Sequence, residues 1–355
     1  MTGIMLNFEN MDVLPVKIQS KVSEAQQERA ASIDKPNSMI ISVVIPCYNV
    51  ARHIGDVVRH MPEEVSYIIA VDDCSSDDTA VLLQQLQKTN PKLIPLRHEM
   101  NQGVGGAMLT GFQKSMELNS DITIKVDGDN QMDLSLIPHL VKPIKDGRAD
   151  FTKGNRFRDF SALKNMPAVR RIGNLGLSFC IKAASGYWNI FDPTNGFIAL
   201  SNETLKNINT TKIHKRYFFE SSLLIESYYA NAVIQEIPMK ARYGDEISGL
   251  SVRKTLFEFP PKLLWAFIRR IFLKYYLFDF NIASVYLLFG MPLFWAGVIY
   301  GGVNYIKYGS SHVPAPTGTV VIPTLLIVLG FQLLLSAVNY DINNYPKRMN
   351  GANHL

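Results

Sequence analysis

Two long stretches of this sequence hold no charge. From Phe280 to Ile306 there is no lysine, arginine, aspartate or glutamate, and from Tyr308 to Tyr340 there is again none. One helix needs roughly 20 apolar residues to cross a bilayer core, and each stretch is long enough. Two adjacent uncharged runs of this length exclude a solvated surface, and a buried core helix seldom comes as such a pair. Their internal Gly290, Pro292, Pro323 and Gly330 are tolerable where neighbouring helices or water re-satisfy the backbone.

Cysteine is also scarce. Cys47, Cys74 and Cys180 are odd in number and lack metal-site spacing, which excludes a disulfide framework and points to reduced thiols. Met1 to Asn37 has no basic segment followed by an apolar one, so a secretory signal is not expected. Residues 1–38 read as a polar arm, with Lys17 to Ala31 suited to one exposed helix. No basic arm or known module argues for nucleic acid as a partner.

The formal net charge is +5, and its excess lies beside the uncharged runs. Arg253, Lys254, Lys262, Arg269, Arg270 and Lys274 precede them, and Lys347 and Arg348 follow. By the positive-inside rule the two spans form a hairpin with both ends cytoplasmic. Lys254 to Phe278 mixes these bases with Trp265, Phe267, Phe272, Tyr275, Tyr276 and Phe278, a composition suited to helices lying in the membrane interface.

From Met39 onward, short β-branched runs alternate with helical patterns. Strands are expected at Ile40 to Ile45 (stopped by Pro46), Tyr67 to Val71, Leu93 to Leu96 and Ile122 to Val126. Helices are expected at Arg52 to His60, from the Ser75-Ser76-Asp77 cap to Lys88, at Gly103 to Leu118 and at Asp133 to Lys145. Beyond Asp150 the pattern loosens, with strands at 150–154, Phe197 to Leu200 and Val233 to Ile237 and a helix at Ala168 to Ser185. Repeated β-α-β units imply an α/β fold with a doubly wound, mostly parallel sheet, whose ligands bind at the carboxyl ends of the strands. No internal repeat or low-complexity tract interrupts it.

The candidate motifs fall at those strand ends. Asp127-Gly128-Asp129-Asn130-Gln131 follows the fourth strand. Two carboxylates one residue apart can share a hard cation such as Mg²⁺ or Mn²⁺ that keeps positions open for phosphates; a turn with a capping aspartate is the plainer reading. Asp72 and Asp73 close the second strand and can accept from a base edge or ribose, or belong to the cap of the next helix. Asn101-Gln102-Gly103-Val104-Gly105-Gly106 opens a helix, but Met108 stands where a dinucleotide fingerprint needs its third glycine. Its glycines serve either tight packing or backbone approach to a nucleotide. Gly154-Asn155-Arg156 and Arg170-Arg171 supply guanidinium groups suited to phosphate. Asp192-Pro193-Thr194-Asn195-Gly196-Phe197 reads as a turn into a strand.

Taken in order, Ile45-Pro-Cys-Tyr-Asn49, Val71-Asp-Asp-Cys-Ser75, Asn101-x-Gly103, Asp127-Gly-Asp129-x-Gln131, Gly154-Asn-Arg156 and Asp192-Pro-Thr-Asn-Gly-Phe197 resemble the inverting glycosyltransferases of family 2, which have the GT-A fold. Tyr217-Phe-Phe-Glu220, Glu236-Ile-Pro238 and Arg242-Tyr-Gly-Asp-Glu246-Ile-Ser248 are similar to the branch of dolichyl-phosphate mannose synthases and polyprenyl-phosphate glycosyltransferases. The resemblance covers residues 40–250. Cys74 stands at the family's usual glycine and Asn155 at its usual serine. The Gln-x-x-Arg-Trp motif of processive polysaccharide synthases is missing around Trp188, Trp265 and Trp295.

The resemblance implies a metal-dependent transferase of the cytoplasmic membrane, serving cell-envelope glycan synthesis. It would move a sugar with inversion from a nucleotide-sugar to a polyprenyl phosphate. The donor would be a UDP-hexose or UDP-N-acetylhexosamine, with GDP-mannose second. Pro46, Asn49, Asp72, Asp73, Asp127, Gln131, Glu246 and Ser248 would face the donor. Asp127 and Asp129 would hold Mg²⁺ or Mn²⁺, and Arg156, Arg170 and Arg171 the acceptor phosphate. The reacting groups would be set by Asp129, Asp192, Arg156 and Arg171. Transfer to a sugar hydroxyl with Asp192 as base, a silent membrane scaffold and a homo-oligomer stay open. The expected organisation is the arm at 1–38, the catalytic domain at 39–250, interfacial helices at 251–280, two spans at 281–340 and a tail at 341–355.

Overall fold

All seven expected strands form in a computed structural model of the chain, which describes residues 39–157, 168–240, 252–311 and 314–348. They are β1 (Ile41–Cys47), β2 (Tyr67–Asp72), β3 (Leu93–Arg97), β4 (Ile122–Lys125), β5 (Phe151–Asn155), β6 (Ile198–Ser201) and β7 (Ile234–Pro238). They make one sheet in the order β3-β2-β1-β4-β6-β5-β7. Every neighbouring pair is parallel except where β6 lies antiparallel between β4 and β5. The mostly parallel sheet is as expected; the reversal of β6 is not, because a β-branched run carries the same signal in either direction.

β1 runs through Pro46 rather than stopping there. Its pairing with β4 ends at Val44, and from Ile45 to Cys47 only β2 pairs with it. A proline's missing N–H is tolerated where one side of the strand has no ladder.

Helices cover both faces. On one face α1 (Ile54–Arg59), α2 (Thr79–Thr89) and α4 (Ile137–Lys145) bury Ile54, Leu83, Ile137 and Leu140 against Val43, Ile45 and Ile124 of the sheet. On the other, α3 (Val104–Glu117), α5 (Ala168–Ser185) and α7 (Phe219–Tyr229) pack Met108, Phe112, Ile181, Phe219 and Leu223 against Val44, Ile69 and Leu200. The alternation Val43, Val44, Ile45 between the two clusters is the period-2 pattern of a strand buried on both sides. The short α6 (Asn202–Asn207) and α7 were not expected. Every residue from Ser221 to Ser227 in α7 is buried, so it shows no apolar stripe against a polar face to read.

The chain then enters α8 (Val252–Phe272), a π-helical turn (Leu273–Phe278), α9 (Ile282–Ser311) and α10 (Thr317–Asn343). The candidate spans Ile282–Ser310 and Thr317–Asn343 have mean hydropathies of 1.9 and 2.3, yet only 22% and 17% of their most apolar windows are buried within the protein. A core helix would be covered; these expose their apolar surface, as a bilayer requires. The two pack closely through small residues: a β-carbon added at Gly330 would collide with the backbone of Phe294, and one at Gly297 would lie 2.9 Å from the Pro323 carbonyl oxygen. Close backbone approach at glycine is how helices associate where burial gains nothing.

Candidate active site

β1 is flanked by β2 and β4, so the chain leaves β1 toward one neighbour and returns on its other side. Such a switch point opens a crevice beyond the carboxyl ends of the strands. Three residues other than glycine have left-handed backbones there: Asn49 (φ 55°), Cys74 (φ 60°) and Asn130 (φ 59°), just past β1, β2 and β4. Strained backbone of this kind concentrates at functional sites. Cys74 occupies the position where the resemblance expects glycine, and its φ supplies the physical reason for that preference. Asn49 joins two strand ends: its side-chain oxygen accepts from Ser76 N–H at 2.9 Å, and its own N–H donates to Ser75 Oγ at 3.0 Å. Pro46 is half-buried behind it.

Asp72 and Asp73 are both buried, with different partners. Asp73 accepts from the Gln102 and Gly103 N–H groups at 2.8 and 2.7 Å and lies 2.7 Å from His98 Nδ1. Its carboxylate holds the loop that starts α3. Asp72 Oδ1 accepts from Ser75 N–H at 3.0 Å. Among the described residues its Oδ2 accepts no hydrogen bond, although Arg97 Nε lies 3.3 Å away, off the line of one. The glycines after this loop serve packing: β-carbons at Gly103 and Gly105 would clash with the backbone of His214 and Lys215.

At the end of β4 the buried Lys125 ammonium lies 2.5 Å from Asp127 Oδ1 and 3.6 Å from Glu220 Oε1. Burial opposes its charge, but the Asp127 and Glu220 carboxylates outweigh that, and the lysine pKa is raised. Asp129 Oδ1 accepts the N–H of Gln131 at 3.0 Å, closing the turn through Asn130. Gly196 faces the same place: a β-carbon there would collide with Lys125 Nζ and lie 3.0 Å from Asp127 Oδ2. Among the described residues no three His, Cys, Asp or Glu side chains converge as a metal cage. A magnesium-class ion that also binds substrate phosphates needs only one or two carboxylates, and Asp127 and Asp129 fit that use.

The second half of the site comes from the loop before β6. Asp192 is fully buried and receives the Arg156 guanidinium in a two-pronged contact, Nε to Oδ2 at 2.8 Å and Nη2 to Oδ1 at 3.0 Å. The Arg156 N–H adds a third bond at 3.1 Å. Burial alone would raise the Asp192 pKa; Arg156 overrides it and holds the carboxyl below its ordinary value. Glu236 in turn accepts the N–H groups of Phe191 and Asp192 at 2.7 and 2.8 Å. Lys153, buried in β5, donates to the Asn195 carbonyl, and burial lowers its pKa to about 8 despite the Asp192 carboxylate.

Arg156 and Asp192, expected to act on the acceptor side, are thus one ion pair. Arg170 and Arg171 lie in the first turn of α5, with side chains outside the described residues, as are Glu246 and Ser248 altogether. Lys125, Lys153, Glu220 and Glu236 were not assigned roles from sequence. The available signal was a lysine inside each of two apolar strands, Ile-Thr-Ile-Lys and Phe-Thr-Lys.

Comparison with known proteins sharpens this. The model of the family described as glycosyl transferase family 2 matches residues 42–208. A protein of Methanococcus voltae named UDP-N-acetylglucosamine–dolichyl-phosphate N-acetylglucosaminyltransferase is 34% identical over 219 residues, which are 58% of this chain and 87% of that one. An undecaprenyl-phosphate mannosyltransferase of Micrococcus luteus is 25% identical, over 57% of this chain and 83% of its own. A polyprenol monophosphomannose synthase of Mycolicibacterium smegmatis is 24% identical, over 61% and 84%.

Proposed function

We propose a reaction from one premise: this chain belongs to glycosyl transferase family 2. The reaction is transfer of a sugar from a nucleotide-sugar to a polyprenyl phosphate, with inversion, at the cytoplasmic face of a membrane. The observation that carries it is the union in one chain of a carboxylate pair at the β1–β4 crevice with two exposed apolar spans. The names of the relatives support a prenyl-phosphate acceptor, and that from M. voltae favours a UDP-N-acetylhexosamine over a UDP-hexose or GDP-mannose donor.

Asp127 and Asp129 would hold Mg²⁺ or Mn²⁺ with the donor diphosphate, where the ion would neutralise charge on the leaving group. The glycosidic bond to the diphosphate breaks as a phosphate oxygen of the acceptor bonds to the anomeric carbon. That oxygen is already ionised at neutral pH, so no strong base is needed. This agrees with Asp192, whose bidentate pairing makes it a poor proton acceptor and a good support for Arg156. Arg156, Arg170 and Arg171 would receive the acceptor phosphate. Pro46, Asn49, Asp72, Gln131, Glu246 and Ser248 would line the donor side, with Asp73 shaping it through the 101–103 loop. Residues 39–250 are the catalytic domain in this reading, 251–280 its interfacial helices and 281–340 its hairpin.

The test is incubation of the full chain in membranes with a panel of nucleotide-sugars, Mg²⁺ or Mn²⁺ and undecaprenyl phosphate, read by mass spectrometry of the lipid. A glycosyl-phosphate lipid from one donor is expected. No glycosyl-phosphate lipid from any donor, with the sugar appearing on a lipid-linked glycan instead, would overturn the acceptor assignment.

A further inference from the structure

A second concave surface takes no part in the proposed reaction. Residues 211–218 form one wall and α8 the other, leaving a groove of about 880 Å³. Lys212, Lys215, Lys262 and Arg269 line it, and among the described residues Glu226 is the one carboxylate lining it. Glu226 already faces Arg269 at 3.2 Å, which leaves three ammonium groups in excess. His214 registers the surplus: burial, then the nearby Lys262 charge, lowers its pKa. The rim is apolar. Trp265, which lines the groove, is 67% exposed, and Leu264, Ile268 and Phe272 on the same helix are also exposed. α8 leads through the π-helical turn toward the first candidate span, and its Arg270 bonds Asp341 near the end of the second.

We propose that this groove binds the phosphate headgroup of an anionic membrane phospholipid, whose acyl chains lie along the apolar face of α8. The inference rests on the hairpin spanning a bilayer. Cations clustered beside exposed apolar side chains match a surface where phosphate and hydrocarbon meet. The wall bearing Lys212 and Lys215 also reaches the crevice. Gly106 donates its N–H to the Lys215 carbonyl at 3.0 Å, and Lys215 Nζ donates to Gln102 Oε1 at 2.8 Å, while Asp73 holds the Gln102 N–H. A headgroup held by Lys212 and Lys262 thus rests on a wall hydrogen-bonded to the loop that opens α3.

The test is native mass spectrometry of the full chain released from nanodiscs of phosphatidylcholine mixed with phosphatidylglycerol, which reads binding independently of transfer. Wild type should retain phosphatidylglycerol preferentially. Lys212→Gln combined with Lys262→Gln should weaken retention about thirty-fold, at ~1 kcal/mol for each lysine near the headgroup, with unchanged melting temperature because neither side chain is in the core. Equal retention of both lipids, or undiminished retention by the double variant, would overturn the proposal. So would displacement of the lipid by inorganic phosphate alone, which marks a bare anion site, or its replacement by undecaprenyl phosphate, which marks an acceptor site.

Discussion

At the scale of single residues, the crevice is organised by pairs of opposite charge. Asp127 with Lys125 and Asp192 with Arg156 each place a carboxylate against a cation at hydrogen-bond distance. Asp129→Ala should lower transfer at least about 100-fold, a loss of ~2.7 kcal/mol in transition-state stabilisation, with the circular dichroism spectrum intact. Near-normal turnover would remove Asp129 from the site. Asp192→Asn should raise the KM for the lipid acceptor more than that for the donor, because Arg156 loses its support. Lys153 bears on stability. Its folded pKa of about 8 lies below the ordinary 10.5, so the unfolded chain binds the proton more tightly. The contribution of Lys153 to stability should be lowest below pH 8 and rise as pH climbs toward 10.5, by about 3 kcal/mol. Denaturant titrations across that window should show the rise, and Lys153→Met should flatten it. The paired aspartates were legible because two carboxylates after a strand are a chemical pattern. The lysines were not, since one cationic residue in a short strand looks the same whether it is solvated or sealed beneath a turn.

At the scale of elements, close approaches fix where the site residues stand. α3 starts so tightly under residues 214–216 that Gly105→Ala must displace backbone; overpacking of this kind typically costs about 1–3 kcal/mol. A melting-temperature loss with weakened donor binding is expected, and an unchanged protein would show that the segment yields freely. Cys74→Gly should stabilise the turn after β2 by about 1 kcal/mol, since a left-handed backbone is costly for any residue with a β-carbon. Strands β1 to β4 were legible to within a residue or two, because a parallel sheet buried on both faces writes continuous apolar runs. α7 was hidden by its burial on every side. The direction of β6 depends on its neighbours β4 and β5, which local sequence does not name.

At the scale of the molecule, a buried carboxylate ties the two long apolar helices to the α/β body. Asp341, near the end of α10 rather than at the start of a tail, accepts from Arg270 through two bonds of 2.7 Å, from Tyr275 OH at 2.5 Å and from Trp188 Nε1 at 2.8 Å. Arg270 also donates to the carbonyl of Ala183 in α5, and Trp188 stands four residues before Asp192. Asp341→Ala should cost about 3–5 kcal/mol, the usual consequence of leaving a buried cation unpaired, and thermal melts in detergent would measure it. The two long apolar helices were legible from missing charge alone. Their fastening was not, because Asp341 meets its partners across separations of up to 153 residues.

The reversal of β6 has a consequence for how such a site diversifies. Every parallel strand delivers its exit to the crevice, but β6 delivers its entrance: Lys125, the last residue of β4, pairs with Ile198, the first of β6. The loop from Asp192 to Phe197 thus meets Asp127 from the opposite chain direction. Insertions there lengthen an approach to the sheet without sliding any strand against its neighbour. That loop can change in length while the crevice between β1 and β4 keeps its register behind it.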